Sequence, residues 1–431
     1  MERHRNGIEA PGLASRPAAS VRAVLGPARA DRVADVIREI QDRTMNRRSE
    51  LDLLRVIAIA ILLVYHVGMM FNSWDWHLKN PEPLTVLEGP MAVSHQLRMP
   101  LLMVIAGVAT AIALERRSIA VLAVDRVKRL FLPLVFGMFV VVPPQIYIER
   151  LATGGYTGSY LSFYPSVFEL RPYPDGSFSW HHLWFVAYLF LYSMAAIPLF
   201  FALGSPPGRR FLGFLDRAWA RGWVFVLFVP LALARIAFRG YPETHNLFHD
   251  PDTLLQYALL FGFGHLLGRS RTVWDHVVAW RWRYLVATCV LLAVMVPTDY
   301  PVPLEQLGSL ATTWCVILTA LGWTRWWFQR PAARVPSWLD HAQKLSYPFY
   351  IVHQTVIIVL GWSWMKLAIG PWARFGGVLI SSLLVSWAIC ELIARIAPLR
   401  PLFGMAPIKG HAPALPRLAP GASRTARATT A

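Results

Sequence analysis

Apolar residues gather in ten stretches along the chain: 51–72, 97–114, 130–148, 183–203, 222–238, 253–268, 284–297, 304–323, 345–364 and 374–394. A helix needs roughly 17–25 mostly apolar residues to cross a bilayer. Most of the ten reach that length, and 253–268 and 284–297 are the shortest. Inside a bilayer no water can satisfy backbone N–H and C=O groups, so each crossing segment must bond within itself as a helix. The pattern predicts an all-α, polytopic integral membrane protein with about ten transmembrane helices. The spans fall within residues 49–396. A basic cytoplasmic tail over 1–48 and another over 397–431 are expected to lack order, because neither holds enough apolar surface to fold.

Composition agrees with this reading. The chain is 55% hydrophobic and only 16% charged, whereas an average soluble domain carries about 25% charged residues. A net charge of +17 raises the possibility of a nucleic-acid partner. The positive residues, however, recur between apolar stretches instead of covering one face, which argues against nucleic acid. They also alternate. Arg116, Arg117, Arg126, Lys128 and Arg129 follow the second stretch, and Arg209, Arg210, Arg217 and Arg221 follow the fourth. Similar groups follow the sixth and eighth and fill both tails. The intervening loops hold few, among them Lys79, Arg98, Arg150 and Arg171. Cytoplasmic loops concentrate Lys and Arg, so both termini are expected in the cytoplasm of a multi-pass protein.

The first 48 residues hold no apolar run and do not read as a secretory signal. Asp31 to Asp42 is compatible with a short helix, and Met45 is an alternative translation start. Cys289, Cys315 and Cys390 all lie in apolar stretches, where core packing is expected. Their spacing fits neither a metal site nor a disulfide framework, and no metal site is expected elsewhere. Gly262, Gly264 and Gly268 read as close-packing positions between helices. The long loop from Glu149 to His182 is rich in Gly, Ser, Tyr and Pro. It is either a surface that stacks on a polar ligand such as a sugar or a folded-over lid.

Ionisable groups within a span are costly and mark candidate sites. The first stretch holds Asp52, Arg55 and His66. Arg55 and His66 are eleven residues apart, which on a helix is about 20° of rotation and roughly 16 Å of rise. They share a stripe, and Asp52 stands where it can pair with Arg55. Arg126 and Arg129 are spaced to face one anion, although topology signalling alone also accounts for basic residues there. His182 and Trp184 mark the mouth of the fourth stretch, and His353 lies within the ninth. Gln145 and Tyr147 close the third stretch. Each has a plainer reading: a snorkelling Arg or a hydrogen-bonded structural His. Glu391 is placed to pair with Arg395. Gly-rich phosphate loops, HExxH, GxSxG and CxxC signatures are absent from the sequence.

In combination these residues resemble the acyltransferase-3 membrane proteins, which O-acylate carbohydrates outside the cytoplasm. Asp52-Leu53-Leu54-Arg55 followed by His66 is similar to the family's Arg-to-His signature. Arg126-Val127-Lys128-Arg129 with Leu130 and Pro133 is similar to its Arg-x-x-Arg element. His182-Leu183-Trp184-Phe185 and Leu345-Ser346-Tyr347 through His353 resemble its later landmarks, and the match spans about residues 49–396. Arg98-Met99-Pro100-Leu101-Leu102 and Pro143-Pro144-Gln145-Ile146-Tyr147 look closest to the glucan-biosynthesis-protein-C-like, succinyl-transferring branch. Two departures leave the acyl group and acceptor open: Ala106 where Ser is usual before Gly107, and Val186-Ala187-Tyr188 where an acidic residue is common.

The resemblance implies an enzyme of the bacterial inner membrane. It would move an acetyl or succinyl group from cytoplasmic acyl-CoA to a hydroxyl of an extracytoplasmic glycan or glycolipid. Acyl-CoA is then a co-substrate with no permanently bound cofactor, and membrane lipid is a further partner; oligomeric state stays open. His66, Arg55 and His353 are expected to be catalytic, Arg126, Arg129 and Asp52 to bind the donor, and His182, Trp184, Gln145 and Tyr147 to bind the acceptor. The rival from another class is a transporter or flippase for a polar or anionic substrate. It would be expected to show repeated halves with matching interrupted helices, and the sequence shows none.

Overall fold

A computed structural model describes residues 48–295, 302–330 and 334–408. The expected helix at 31–42, the alternative start at Met45 and most of the C-terminal tail lie outside them. The chain divides into two units, Met1–Ser49 and Glu50–Ala431, and the account below concerns the second.

Every apolar stretch is helical where described. The helices are α1 (Ser49–Phe71), α2 (Glu88–Leu114), α3 (Ile119–Ala152), α4 (His181–Ala195), α5 (Ile197–Gly204), α6 (Pro206–Ala220), α7 (Trp223–Phe238), α8 (Pro251–Arg269), α9 (Thr272–Ala279), α10 (Arg281–Met295), α11 (Val302–Phe328), α12 (Ser337–Trp364) and α13 (Pro371–Arg395). Among the described residues there is no strand, only an isolated bridge between Pro172 and Phe178.

Among the described residues six helices are long and apolar enough to cross a membrane, and three bent pairs, α4–α5, α6–α7 and α9–α10, raise the count to nine if each is one span. By length and composition this count does not reach the expected ten. The stretch outside this set is α8. It is a full helix of 19 residues, but Asp252, Thr253, Gln256 and His265 are buried along it. Those polar groups lower its hydropathy while packing keeps them from lipid.

Local chemistry sets the bends. Ser118 caps α3 by accepting from the Val121 N–H, one of the orphan donors at a helix start. Within α3 the turns at Val127–Phe131 and Gly137–Val141 widen to π geometry. Pro100 in α2 and Pro348 in α12 lie inside their helices. Each lacks an N–H and frees a carbonyl one turn earlier. The 115° turn between α6 and α7 passes through Gly222 at φ +96°, a conformation that glycine adopts without a Cβ penalty.

The tightest helix pair is α2 against α8. A Cβ on Gly264 would stand 2.1 Å from the Val104 carbonyl oxygen, and one on Gly107 would stand 2.1 Å from that of Phe261. Gly268 likewise packs on Ala111 and Val108. Gly262 does not share this role, since nothing lies within 4 Å of its Cβ position. Cys315 and Cys390 are buried as expected, but Cys289 is exposed, on the outward side of α10. Residues 397–408, expected as the start of a tail without order, instead fold back. Phe403 is buried and meets Phe136 edge-on.

Candidate active site

Along α1 the chemistry falls into two zones. At the N-terminal end Arg55 lines a cavity of about 480 Å³ with Arg126, Arg129, Lys344 and Arg400. Its lining includes no Asp or Glu, so it favours an anion. Arg126 and Arg129 reach it from the π turn of α3, and Arg126 is held by donating to Thr110 Oγ1 at 2.7 Å. The Nε of Arg126 is buried and has no hydrogen-bond partner among the described residues. Asp52 does not line the cavity; it stands beside Arg55 at 3.4 Å. Arg400, Gly404 and Met405 complete the wall from the folded-back tail.

The second zone lies deeper on α1. Nδ1 of His66 meets Nε2 of His353 at 2.8 Å, and the rings stack with centroids 5.0 Å apart. Nδ1 of His353 lies 2.7 Å from the Tyr350 carbonyl oxygen. A carbonyl only accepts, so Nδ1 of His353 must carry a proton. Its Nε2 in the neutral ring is then an acceptor, and His66 donates to it from Nδ1. This leaves Nε2 of His66 as a lone pair with no hydrogen-bond partner among the described residues. The chain of bonds places a base on His66 without any charge on the pair. Tyr350, one turn from His353, also lines the anionic-ligand cavity, so the two zones share a wall.

His182 and Gln145 join this cluster. His182 donates from Nε2 to the Ile351 carbonyl at 2.9 Å, and its ring stands edge-on to His353 at 5.4 Å. Gln145 Nε2 reaches His182 Nδ1 at 3.3 Å and Thr355 Oγ1 at 2.7 Å. Gln145 Oε1 accepts from Gln354 at 3.1 Å. The Tyr350 hydroxyl donates to the His182 carbonyl. Thus α3, α4 and α12 are fastened to one another around the imidazole pair.

Two expected acceptor residues lie elsewhere. Tyr147 donates to the Gly158 carbonyl at 3.1 Å and packs with Tyr156, Tyr160 and Phe163 in the loop region. Trp184 lies against His245, with ring centroids 4.1 Å apart, and against Tyr257. Glu391 has Arg395 at 3.9 Å, but His341 is closer at 2.5 Å.

By sequence Arg98 stands at the edge of the second apolar stretch, on the side poor in cations. In the structure it is 4% exposed inside α2, with its guanidinium carbon 3.3 Å from the centre of the Tyr65 ring. A cation over an aromatic face is stabilised by the ring quadrupole. Its NH2 nitrogen lies 3.3 Å from His95 Nδ1, while Nε and NH1 are buried without hydrogen-bond partners among the described residues. Beyond it a second cavity, of about 520 Å³, is lined by Tyr65, His95, Arg235, Glu243 and Tyr257. Only the position of Arg98 beside Met99-Pro100 hinted at this; its depth depends on where α2 begins, nine residues before the apolar stretch.

The helices thus form a cavity lined by cations at one end of α1 and a hydrogen-bonded histidine pair further along it. The chain belongs to the acyltransferase-3 family, whose model, described as an acyltransferase domain, matches residues 48–391. It is therefore a membrane acyltransferase. No curated protein and no solved structure matches the chain.

Proposed function

We propose that this protein takes an acyl group from acyl-CoA at its basic, cytoplasmic face and transfers it to a hydroxyl on the other side of the inner membrane. The acceptor is a glycan or glycolipid. The motif similarities around Arg98 and Pro143 favour the succinyl-transferring branch over acetyl transfer. The observation that carries the reading is the bond chain Tyr350 carbonyl, His353, His66, which leaves an unprotonated nitrogen on His66.

In this reading the nucleotide phosphates of the donor sit among Arg55, Arg126 and Arg129. A guanidinium binds phosphate through two parallel N–H bonds. The pantetheine arm carries the thioester past Tyr350 toward the histidines. Nε2 of His66 takes the acceptor's hydroxyl proton as its oxygen attacks the thioester carbonyl carbon. The C–O bond forms, the C–S bond breaks, and the CoA thiolate leaves and takes the proton back. His353 holds the tautomer of His66 and shares the positive charge that forms on it. His182 stands edge-on to His353 on the other side, and Gln145 holds His182.

General-base catalysis contributes about 10²–10⁴-fold. His66→Ala should therefore abolish transfer of labelled acyl groups in purified membranes while the protein stays at normal level. Turnover retained by that variant would remove His66 from the mechanism. A flippase would move substrate without consuming thioester, so release of free CoA thiol in the same membranes separates the two classes.

A further inference from the structure

A third cluster, which the transfer reading does not use, lies past the C-terminal end of α1. His77 stands in the loop after α1, Glu149 near the end of α3, and His181 at the start of α4. One ligand atom from each lies within 4.8 Å of the other two. Nδ1 of His77 is hydrogen-bonded to Oε2 of Glu149. The rings of His77 and His181 stack at 4.6 Å with 6° between their planes.

The surrounding bonds orient these groups as ligands. Metal-binding imidazoles generally donate their other N–H to an oxygen, and metal-binding carboxylates are themselves hydrogen-bonded. Nδ1 of His181 lies 2.7 Å from Ser179 Oγ, which also accepts the His181 backbone N–H at 3.1 Å. With the proton on Nδ1, the Nε2 of His181 is a lone pair. That Nε2 is buried and has no hydrogen-bond partner among the described residues. Oε1 of Glu149 accepts from the Tyr173 hydroxyl at 2.6 Å, which leaves Oε2 on the side of His77. A buried polar atom without a partner carries its full desolvation penalty. Here that atom sits beside a second imidazole and a carboxylate already held in place.

We propose that His77, Glu149 and His181 bind one divalent transition-metal ion of the zinc class. Two imidazoles and one carboxylate form a known three-ligand zinc set with a fourth, open position. Imidazole suits zinc better than it suits calcium or magnesium, which prefer oxygen. The ion takes the place of the proton between His77 Nδ1 and Glu149, and His77 becomes the tautomer protonated on Nε2, so the ring stays neutral. The two ligand atoms then part to roughly 3.4 Å, the spacing set by tetrahedral bonds of about 2.1 Å. The ion clamps the loop of His77 to the ends of α3 and α4. Trp76, beside His77, stacks on His66 at 6.2 Å, so the clamp fixes one neighbour of the base. The site does not depend on the acyl-transfer reading.

The test uses full-length, untagged protein in detergent, stripped with a chelator and titrated with zinc chloride alone. One zinc per chain should bind, with a rise in thermal midpoint. His181→Ala and Glu149→Gln should each lose that uptake, and Ser179→Ala should weaken it about 10-fold. His249→Ala, at an exposed residue, should bind like the parent. No uptake by the parent, or equal uptake by the parent and Glu149→Gln, overturns the site. Glu149→Gln keeps the side-chain shape and the Tyr173 bond, so the comparison holds even if His181→Ala fails to fold. Acyl transfer that persists in a zinc-free parent would leave the metal site standing as a structural clamp.

Discussion

The Tyr350 carbonyl decides which nitrogen of His66 is basic, and substitution of its intermediary tests this. In His353→Gln the side-chain oxygen can still accept the His66 Nδ1 proton. In His353→Leu nothing accepts it, and the His66 ring is free to invert. Activity should fall further in His353→Leu than in His353→Gln, read as acyl transfer per membrane-inserted protein; equal losses would show that His353 does not set the tautomer. Arg126→Ala removes a guanidinium from the cationic cavity while Arg55 and Arg129 remain. It should raise KM for acyl-CoA several-fold and leave KM for the acceptor unchanged. An unchanged KM for the donor would mean that Arg126 serves topology alone. Each of these residues could be picked from sequence because ionisable groups are rare in apolar stretches. The bond between His66 and His353 could not, since it joins residues 287 apart.

Among the elements, α2 and α8 show how little of a helix interface is legible in one dimension. Three glycines of α8 look alike in sequence, yet only Gly264 and Gly268 meet another helix. In lipid, helices associate through close packing and not through exclusion of water, so the backbone approach at Gly264 matters. Gly264→Val should force the helices apart and cost about 1–3 kcal/mol or more, seen as a lower thermal midpoint in detergent. Gly262→Ala, open on all sides, should change nothing measurable; similar losses in both would contradict the packing. The opposite interface, against α7, explains why α8 escapes a hydropathy count. Its polar residues face protein: Asp252 pairs with Arg235 at 2.9 Å, and Gln256 donates to the Leu231 carbonyl at 2.7 Å.

At the scale of the whole described unit, polar fastenings join segments far apart in the chain. Arg325 of α11 bonds Glu50 of α1 at 2.8 Å. Glu243, in the segment between α7 and α8, bonds His245 at 3.2 Å and approaches His95 of α2 at 3.8 Å. Burial alone would raise the Glu243 carboxyl, but the bond and charge of His245, with His95 and Arg235, outweigh it and hold it at about 2. An unfolded Glu titrates near 4.3. A depressed folded value means stability that is fully present above that pH and is lost as pH falls toward about 2. Glu243→Gln should therefore be less stable than the parent at neutral pH, and the difference should shrink between about pH 4 and pH 2. A constant difference across that range would place the effect elsewhere.

The sequence by itself determined the helices, the alternation of basic residues and the identities of the ionisable groups placed in apolar stretches. These follow from local rules: a bilayer-length apolar run must satisfy its own backbone, and a charge within it needs a partner or a cavity. Tertiary structure alone decided which of those groups meet. It buried Arg98, drew Arg400 and Met405 from the expected tail into the cavity wall, sent Trp184 to His245, and assembled His77, Glu149 and His181 from three separate segments. Such meetings depend on where each helix begins, where it bends and how closely it approaches its neighbours. Those are properties of the packed whole, and a single residue's chemistry does not encode them.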